Sequence, residues 1–379
     1  MGFRCLSPNA ELSRLVPFGP SWGTFRSQRR HSVSGARVID WVTAVLPCSH
    51  SEPVRGGRLM SVTPDGELEW EVVKPQSLVG SHESSIQVQT RGPDLLWVSG
   101  NPAKWLQGHN VFGSDDLRGL MSATMTRLAG VLGLVPALAD YAAWESGEYE
   151  LHRVDATAMW ALPRREDVRA WLRAVEVQAR SRHGRAISRG GTVYFGKHSR
   201  RWAMKFYAKG DELADRGKAH KLSPELERRA DLLAFADNKL RGELTLRRTE
   251  LVKLRLDRGS NWNDETPLQA LYRHIEKVQM ADQFSLTPEI LDGLAPRLRL
   301  VYEAWKNGRD VRQLLPLRTF YRYRKELLAH GVDIGVRQPG QPDNVIPLVR
   351  ALRPQAIAQV PEWAKGTSLY FDPAAKRKP

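Results

Sequence analysis

Cysteine is almost missing from this chain: Cys5 and Cys48 are the two it has among 379 residues. Two thiols supply neither a disulfide framework nor a cysteine zinc site, which fits a reducing cytoplasm. Long apolar runs are missing too. The most apolar window, residues 125–144, is interrupted by Arg127, Pro136 and Asp140, which suits a core helix followed by a turn, not a membrane span. No G-x-x-x-x-G-K-[ST] phosphate loop occurs, which argues against an NTPase motor or kinase of that type. There is no G-x-S-x-G elbow and no H-E-x-x-H motif. The ten histidines are scattered and none forms a His-x-His pair, so a two-histidine metal motif is lacking. Acids are outnumbered, 42 Asp+Glu against 57 Lys+Arg, for a net charge of +15. Such a surplus favours polyanionic partners, nucleic acid ahead of an anionic membrane face.

What is present divides into three parts. Residues 1–37 are rich in Ser, Arg, Gly and Pro, carry Arg29, Arg30 and His31, and show no sustained apolar period. They read as a disordered basic arm or as residues upstream of the natural start, and lack the apolar core of a signal peptide. Residues 38–265 read as a folded α+β domain. Strands are expected over 38–47, 68–73, 85–89, 95–99, 149–162 and 240–247. A long helix is expected over 115–134, with Ser114 as its cap and two acids in its first turn. A second is expected over about 164–183, with Val168, Trp171, Leu172 and Val175 on one face. Strands interleaved with two long helices predict an antiparallel sheet with helices on one face.

Beyond residue 266 the strand signals stop. Helices are expected over 301–305, 310–315 and 317–330, with Pro316 marking a turn and Gly331 closing the last helix. This region, 266–379, reads as helix-turn-helix in character. The plainer alternative is a basic surface helix in an α-hairpin. Arg318, Arg322 and Lys325 share one face of the last helix and are its candidate DNA contacts.

A hairpin holds the middle of the chain. Tyr194 and Phe195 lie in its first arm, Trp202 to Lys209 form its second, and Gly190-Gly191 precede it. In the second arm Trp202, Met204 and Phe206 face one way and Ala203, Lys205, Tyr207 and Lys209 the other. A tyrosine between lysines has its hydroxyl on a cationic face suited to a phosphate, although an ordinary solvated strand face has the same pattern. Asp155 and Glu243 are candidate hard-metal ligands, each in a predicted strand and two residues from an arginine, where an ion pair is the competing reading. His109 is a third candidate, or a structural or capping histidine.

Several of these stretches together resemble the gene II/X family of filamentous-phage replication initiators. They are Ile39-Asp40, Leu46-Pro47, Pro102-Ala103-Lys104, the block from Leu106 to Gly113 containing Gln107-Gly108-His109-Asn110, and Arg153-Val154-Asp155-Ala156-Thr157. Tyr207-Ala208-Lys209, Arg241-Gly242-Glu243 and the block from Asn344 to Arg350 complete the set, in family order over nearly the whole chain. The 106–113 block is specific; Arg-x-Asp or Tyr-x-Lys alone is weak. The family does not need the basic arm before Val38.

The resemblance implies a nickase of supercoiled phage or plasmid DNA that starts rolling-circle synthesis. It implies Tyr207 as nucleophile, with Tyr194 as the residue that could share the role. A 5′-phosphotyrosyl link and a free 3′-hydroxyl follow from such an attack. Phenol ionises near 10, so the strand-face cations are expected to favour the phenolate. On this basis Lys209 stabilises phosphate charge, Lys205 contacts DNA, and Asp155, Glu243 and, as a third ligand, His109 hold Mg²⁺ or Mn²⁺. Partners implied are the origin DNA, its single-stranded product and the host helicase and polymerase, in a bacterial cytoplasm. The readings from other classes are a non-enzymatic DNA-binding regulator and an RNA-binding sheet.

Overall fold

In the computed structural model the residues described are 37–79, 85–178, 180–181, 184–185, 187–215, 222–279, 288–330, 332, 334–335 and 351–375. The basic arm, apart from Arg37, and the 344–350 block lie outside them. The chain lays down β1 (Arg37–Pro47), an exposed ribbon of β2 (Arg58–Val62) and β3 (Leu68–Val73), then β4 (Gln76–Val79), β5 (Ser85–Thr90) and β6 (Leu95–Gly100). Helices α1 (Pro102–Gln107), α2 (Leu117–Leu132) and α3 (Leu138–Ser146) lead to β7 (Glu150–Ala161) and α4 (Arg165–Gln178). The two-residue strands β8 (Arg180–Ser181) and β9 (Gly184–Arg185) precede β10 (Ile187–Arg189), β11 (Thr192–Phe195) and β12 (Trp202–Ala208). Then come α5 (Lys209–Ala214), α6 (Pro224–Glu227), α7 (Ala230–Asp237), β13 (Lys239–Arg247), α8 (Arg248–Leu254), α9 (Thr266–Ile275) and β14 (Val278–Gln279).

Nine strands form one antiparallel sheet in the order β10-β11-β12-β13-β7-β1-β6-β5-β4. Its centre is the pairing of β13 and β7, in register from Lys239 opposite Ala161 to Arg247 opposite Arg153. Period-two alternation gives the sheet two unlike faces. Trp202, Met204, Phe206, Leu240, Leu244, Leu246, Val154, Ala156 and Trp160 are buried in one apolar cluster with Val168, Trp171, Leu172 and Val175 of α4. Burying each such aliphatic side chain is worth about 1.5–3 kcal/mol. Trp171 meets Phe206 edge-on at 5.2 Å. Gly242 is required beneath these rings, because a Cβ there would stand 2.8 Å from Trp160 and 2.9 Å from Phe206. The opposite face of the same strands carries the charged residues.

A smaller cover closes one end of that charged face. Val111, Phe112, Met159, Leu232, Ala236, Ala358 and Val360 form its apolar cluster. Residues beyond 265 return to the sheet: Trp160 donates to the Tyr272 hydroxyl of α9 at 3.3 Å, which donates to the Leu352 carbonyl at 2.7 Å. Ala358 N–H donates to the Met159 carbonyl at 2.8 Å, and Phe371 N–H to the Gln107 side chain at 2.9 Å.

The α+β sheet with helices is as expected, with local corrections. α2 starts at Leu117 with Asp116 as cap, its carboxylate accepting from Gly119 N–H at 3.0 Å. Ser114 instead accepts from Asp116 N–H, and Asp115 pairs with Arg37 at 3.0 Å, so neither acid expected in the first turn stands there. The second helix ends at Gln178. Gly190 and Gly191 form the β10–β11 turn, both at positive φ as a two-residue hairpin turn demands.

The helical region comprises α10 (Pro288–Asp292), α11 (Pro296–Lys306), α12 (Val311–Leu314) and α13 (Leu317–Ala329). It has a cluster of its own, with Leu298, Tyr302, Trp305, Val311, Phe320 and Leu327 buried. Asp310 caps α12, accepting from Arg312 N–H. Among the described residues no helix is long and apolar enough to cross a membrane.

Candidate active site

On the charged face, β12 sets Lys205 directly opposite Glu243 and Tyr207 directly opposite Arg241 of β13. Lys205 Nζ lies 2.7 Å from the Glu243 carboxylate and 5.5 Å from the centre of the Tyr207 ring. The Tyr207 hydroxyl donates to Glu243 Oε2 at 3.4 Å. Arg241 is wholly buried, its guanidinium 3.1 Å from Asp40 and donating to the Asn110 carbonyl at 2.5 Å. Asp40 also accepts from the Asn101 and Asn110 amides, each at 2.7 Å. Its place comes from a bulge in β1: pairing with β7 slips between Ile39 and Trp41, which turns Asp40 toward Arg241.

Electrostatics follow from this burial. Removal from water raises the Tyr207 phenol well above its usual range; Arg241 opposes this, while Glu212, Glu243 and Asp40 add to it. The expectation that strand-face cations favour the phenolate is thereby corrected, since burial and three carboxylates outweigh them. Burial also lifts Glu243 to about 7, with Asp40 and Asp155 raising it and Lys205 and Arg241 opposing. Burial works against charge on Asp40, yet Arg241, Lys209, Asn110 and Lys205 together hold it below the ordinary carboxylate range.

Lys209 is not on the strand face. β12 ends at Ala208, and Lys209 opens α5, fully buried, pairing with Glu212 and donating to Asn110 Oδ1 at 3.0 Å. Lys205, partly exposed beside Tyr207 and paired with Glu243, is the less buried of the two lysines. Tyr194 lies one strand further out, its Cα opposite Lys205, with Lys197 Nζ 4.8 Å from its ring centre.

Asp155 and Glu243 do share a face, offset diagonally: Asp155 pairs with Thr245, and Glu243 with Thr157. Both Asp155 oxygens, however, accept from Arg153 at 2.8 and 2.5 Å, and Glu243 is taken by Lys205 and Tyr207. His109 is buried edge-on against Phe112, its Nδ1 accepting from Val111 N–H at 3.3 Å. Among the described residues no three His, Cys, Asp or Glu side chains form a group that could hold a metal ion. As placed, Asp155, Glu243 and His109 do not form a Mg²⁺ or Mn²⁺ site: Arg153 and Lys205 hold the Asp155 and Glu243 oxygens, and His109 makes no ligand group with them. Arg318, Arg322 and Lys325 are exposed on α13, with Arg322 over the Tyr323 ring at 5.0 Å.

The network around Tyr207 includes Asp40 and Asn110, which the pattern left without roles, and Arg241 and Arg153, which it offered only as ion-pair partners of the two acids. Polar residues recur at every second position of β13, from Lys239 to Arg247, a pattern that a solvated strand face shares, so it did not mark the charges as buried. Asp40 and Asn110 stood in stretches that carried the resemblance, but neither the β1 bulge that brings Asp40 to Arg241 nor the loop after α1 that brings the Asn110 carbonyl there has a sequence signature.

The sequence of this chain matches those of known proteins. Residues 38–265 match the family model described as replication-associated protein G2P, N-terminal, and residues 290–370 match its C-terminal counterpart. The replication-associated protein G2P of Enterobacteria phage I2-2 is 44% identical over 322 residues, spanning 83% of this chain and 93% of that protein. The chain therefore belongs to the G2P family, the gene II replication initiators of filamentous phages. A solved rolling-circle replication initiator protein from Geobacillus stearothermophilus overlaps 67% of this chain and 90% of its own, at 12% identity and a TM-score of 0.31.

Proposed function

We propose that this chain cuts one strand of supercoiled replicon DNA with Tyr207 and so starts rolling-circle replication. The observation that carries the reading is the Tyr207 hydroxyl in contact with Glu243 at 3.4 Å, with Lys205 beside its ring. The phenol oxygen attacks the scissile phosphorus, the bond from phosphorus to the 3′-oxygen breaks, and a 5′-phosphotyrosyl link forms. The phenolic proton passes to Glu243, the acceptor in contact with it. Lys205 offsets charge on the non-bridging oxygens, and the departing 3′-oxygen takes a proton from water. Arg241, Asp40, Asn110 and Lys209 fix the strand ends around the tyrosine. The covalent link conserves the phosphodiester's energy, so the same phosphotyrosine can religate the product, and no nucleotide triphosphate is needed. The free 3′-hydroxyl is what a host polymerase would extend.

The test is a covalent protein–DNA adduct that survives denaturation after incubation with the replicon's own supercoiled DNA, with and without Mg²⁺. Tyr207→Phe removes one oxygen and little volume; it should fold and bind DNA while adduct and nick fall below detection. An adduct in the Phe variant would move the nucleophile to another residue, with Tyr194→Phe as the next variant. No adduct from the unaltered protein under any condition would leave a DNA-binding regulator.

A further inference from the structure

Two aromatic rings on the charged face are not used by this chemistry. Trp41 stands half-exposed on β1, turned to that face by the bulge between Ile39 and Trp41. Its indole N–H is held by Ser99 Oγ at 3.1 Å, with Thr43 Oγ1 at 3.4 Å, which fixes the plane of the ring. The Arg153 guanidinium lies 5.3 Å from the ring centre and is itself clamped by Asp155. Tyr194, half-exposed on β11, carries Lys197 in the same manner at 4.8 Å. Between these rings lie, strand by strand, Lys205 and Tyr207 of β12, Glu243 of β13 and Asp155 of β7. Four inter-strand spacings separate β11 from β1, roughly 19 Å.

The hydroxyls and the arginine contribute modestly to stability, and they also hold the tryptophan ring in one orientation on a face still partly open to solvent. Flat rings paired with cations are what unpaired nucleobases stack on, while a base inside a duplex has no free face to offer. We propose that Trp41 with Arg153 on one side of the site, and Tyr194 on the other, stack bases of a single DNA strand laid across the sheet, perpendicular to its strands. The ligand is thus single-stranded DNA, and its backbone passes Tyr207 between the two platforms. The placement of the scissile phosphate rests on the reading of Tyr207 as nucleophile; the stacking does not.

The probes are a 20-nucleotide oligothymidylate and the matching dT·dA duplex, with binding measured by anisotropy at one salt concentration in the Tyr207→Phe background. Trp41→Ala should weaken oligothymidylate binding on the order of tenfold, with duplex binding changed less than about twofold. Trp41→Phe, which keeps a π-face, should recover to within about threefold, whereas Trp41→Leu, which keeps apolar bulk, should not. The Leu and Phe variants decide the matter if the Ala variant fails to fold. Equal losses on both DNAs, or Leu binding as well as Phe, would overturn the proposal. Failure of the unaltered protein to form an adduct would sink the nucleophile and leave this binding contrast standing.

Discussion

On the sheet, Lys205 sits 2.7 Å from Glu243, Arg241 3.1 Å from Asp40 and Arg153 2.5 Å from Asp155, and at the end of β12 Lys209 of α5 pairs with Glu212. On α13, Arg318, Arg322 and Lys325 stand exposed along one side of the helix. The first set is a neutral assembly, four cations against four carboxylates, largely buried. It contributes little to the long-range field of a chain with a net charge of +15. Its work is local: it fixes the tyrosine and sets proton affinities at short range, where low polarity makes each contact strong. The second set is solvated, so it is screened by salt and suited to attraction and groove contact. Under the proposed function, the same residue types serve chemistry in one place and recruitment in the other.

The sharpest break of that contrast is at Glu243. Glu243→Gln keeps the shape and removes the proton acceptor, and the strand-cleavage rate should fall about 10²–10⁴-fold while salt-dependent binding to duplex is unchanged. Glu243 is held at about 7 among Lys205, Asp40, Asp155 and Arg241, and it accepts a proton only when ionised. Cleavage should therefore rise with pH through about 7, and the rise should vanish in the Gln variant. A Gln variant that cuts normally would reduce Glu243 to a partner of Lys205.

Next is the stability of the buried set. Asp40→Ala leaves Arg241 buried without its carboxylate and should cost about 3–5 kcal/mol in urea unfolding. Arg322→Ala on the exposed helix should change stability by no more than about 0.5 kcal/mol. Asp40 is held below its ordinary range, so its contribution is present above the unfolded carboxylate value and lost as pH falls through the folded one. The gap between Asp40→Ala and the unaltered protein should accordingly narrow below about pH 4. Similar costs at Asp40 and Arg322 would erase the distinction between the two sets.

Much of this was legible before the structure. Alternation in Trp202 to Tyr207 assigned each side chain to the face it occupies, because the strand is regular there. Punctuation by Gly190-Gly191 and Pro47 bounded the strands, and the 3.6 period of α4 gave its buried stripe. What stayed hidden depended on irregular backbone or on distance. Lys209 continued the alternation on paper, but the chain turns into α5 at that residue and buries it. Asp40 needs the bulge in β1 to meet Arg241, 201 positions later in sequence. Asp155 and Glu243 were legible as acids on one face. The competing ion-pair reading set each acid against the arginine two residues away. Arg153 does hold Asp155 within its own strand, but Glu243 pairs with Lys205 while Arg241 turns to Asp40, which only cross-strand register and the β1 bulge could show.

The smallest expected effect tests the exposed set. Arg318, Arg322 and Lys325 share a helix face at i, i+4 and i+7, while Phe320 and Leu327 anchor the opposite side in the helical cluster. An arginine that reads a base edge is worth about 1–3 kcal/mol for the right sequence. A lysine lost from a phosphate contact weakens all sequences alike and lowers the salt slope by about one. Arg318→Ala and Arg322→Ala should therefore reduce affinity for the origin more than for random duplex, at one fixed salt concentration. Lys325→Ala should reduce both equally. None of the three should alter cleavage of a single-stranded substrate, whose chemistry resides on the sheet. If the arginine variants lose both duplexes to the same extent, α13 supplies attraction alone, and choice of origin must lie on the strands that also hold Tyr207.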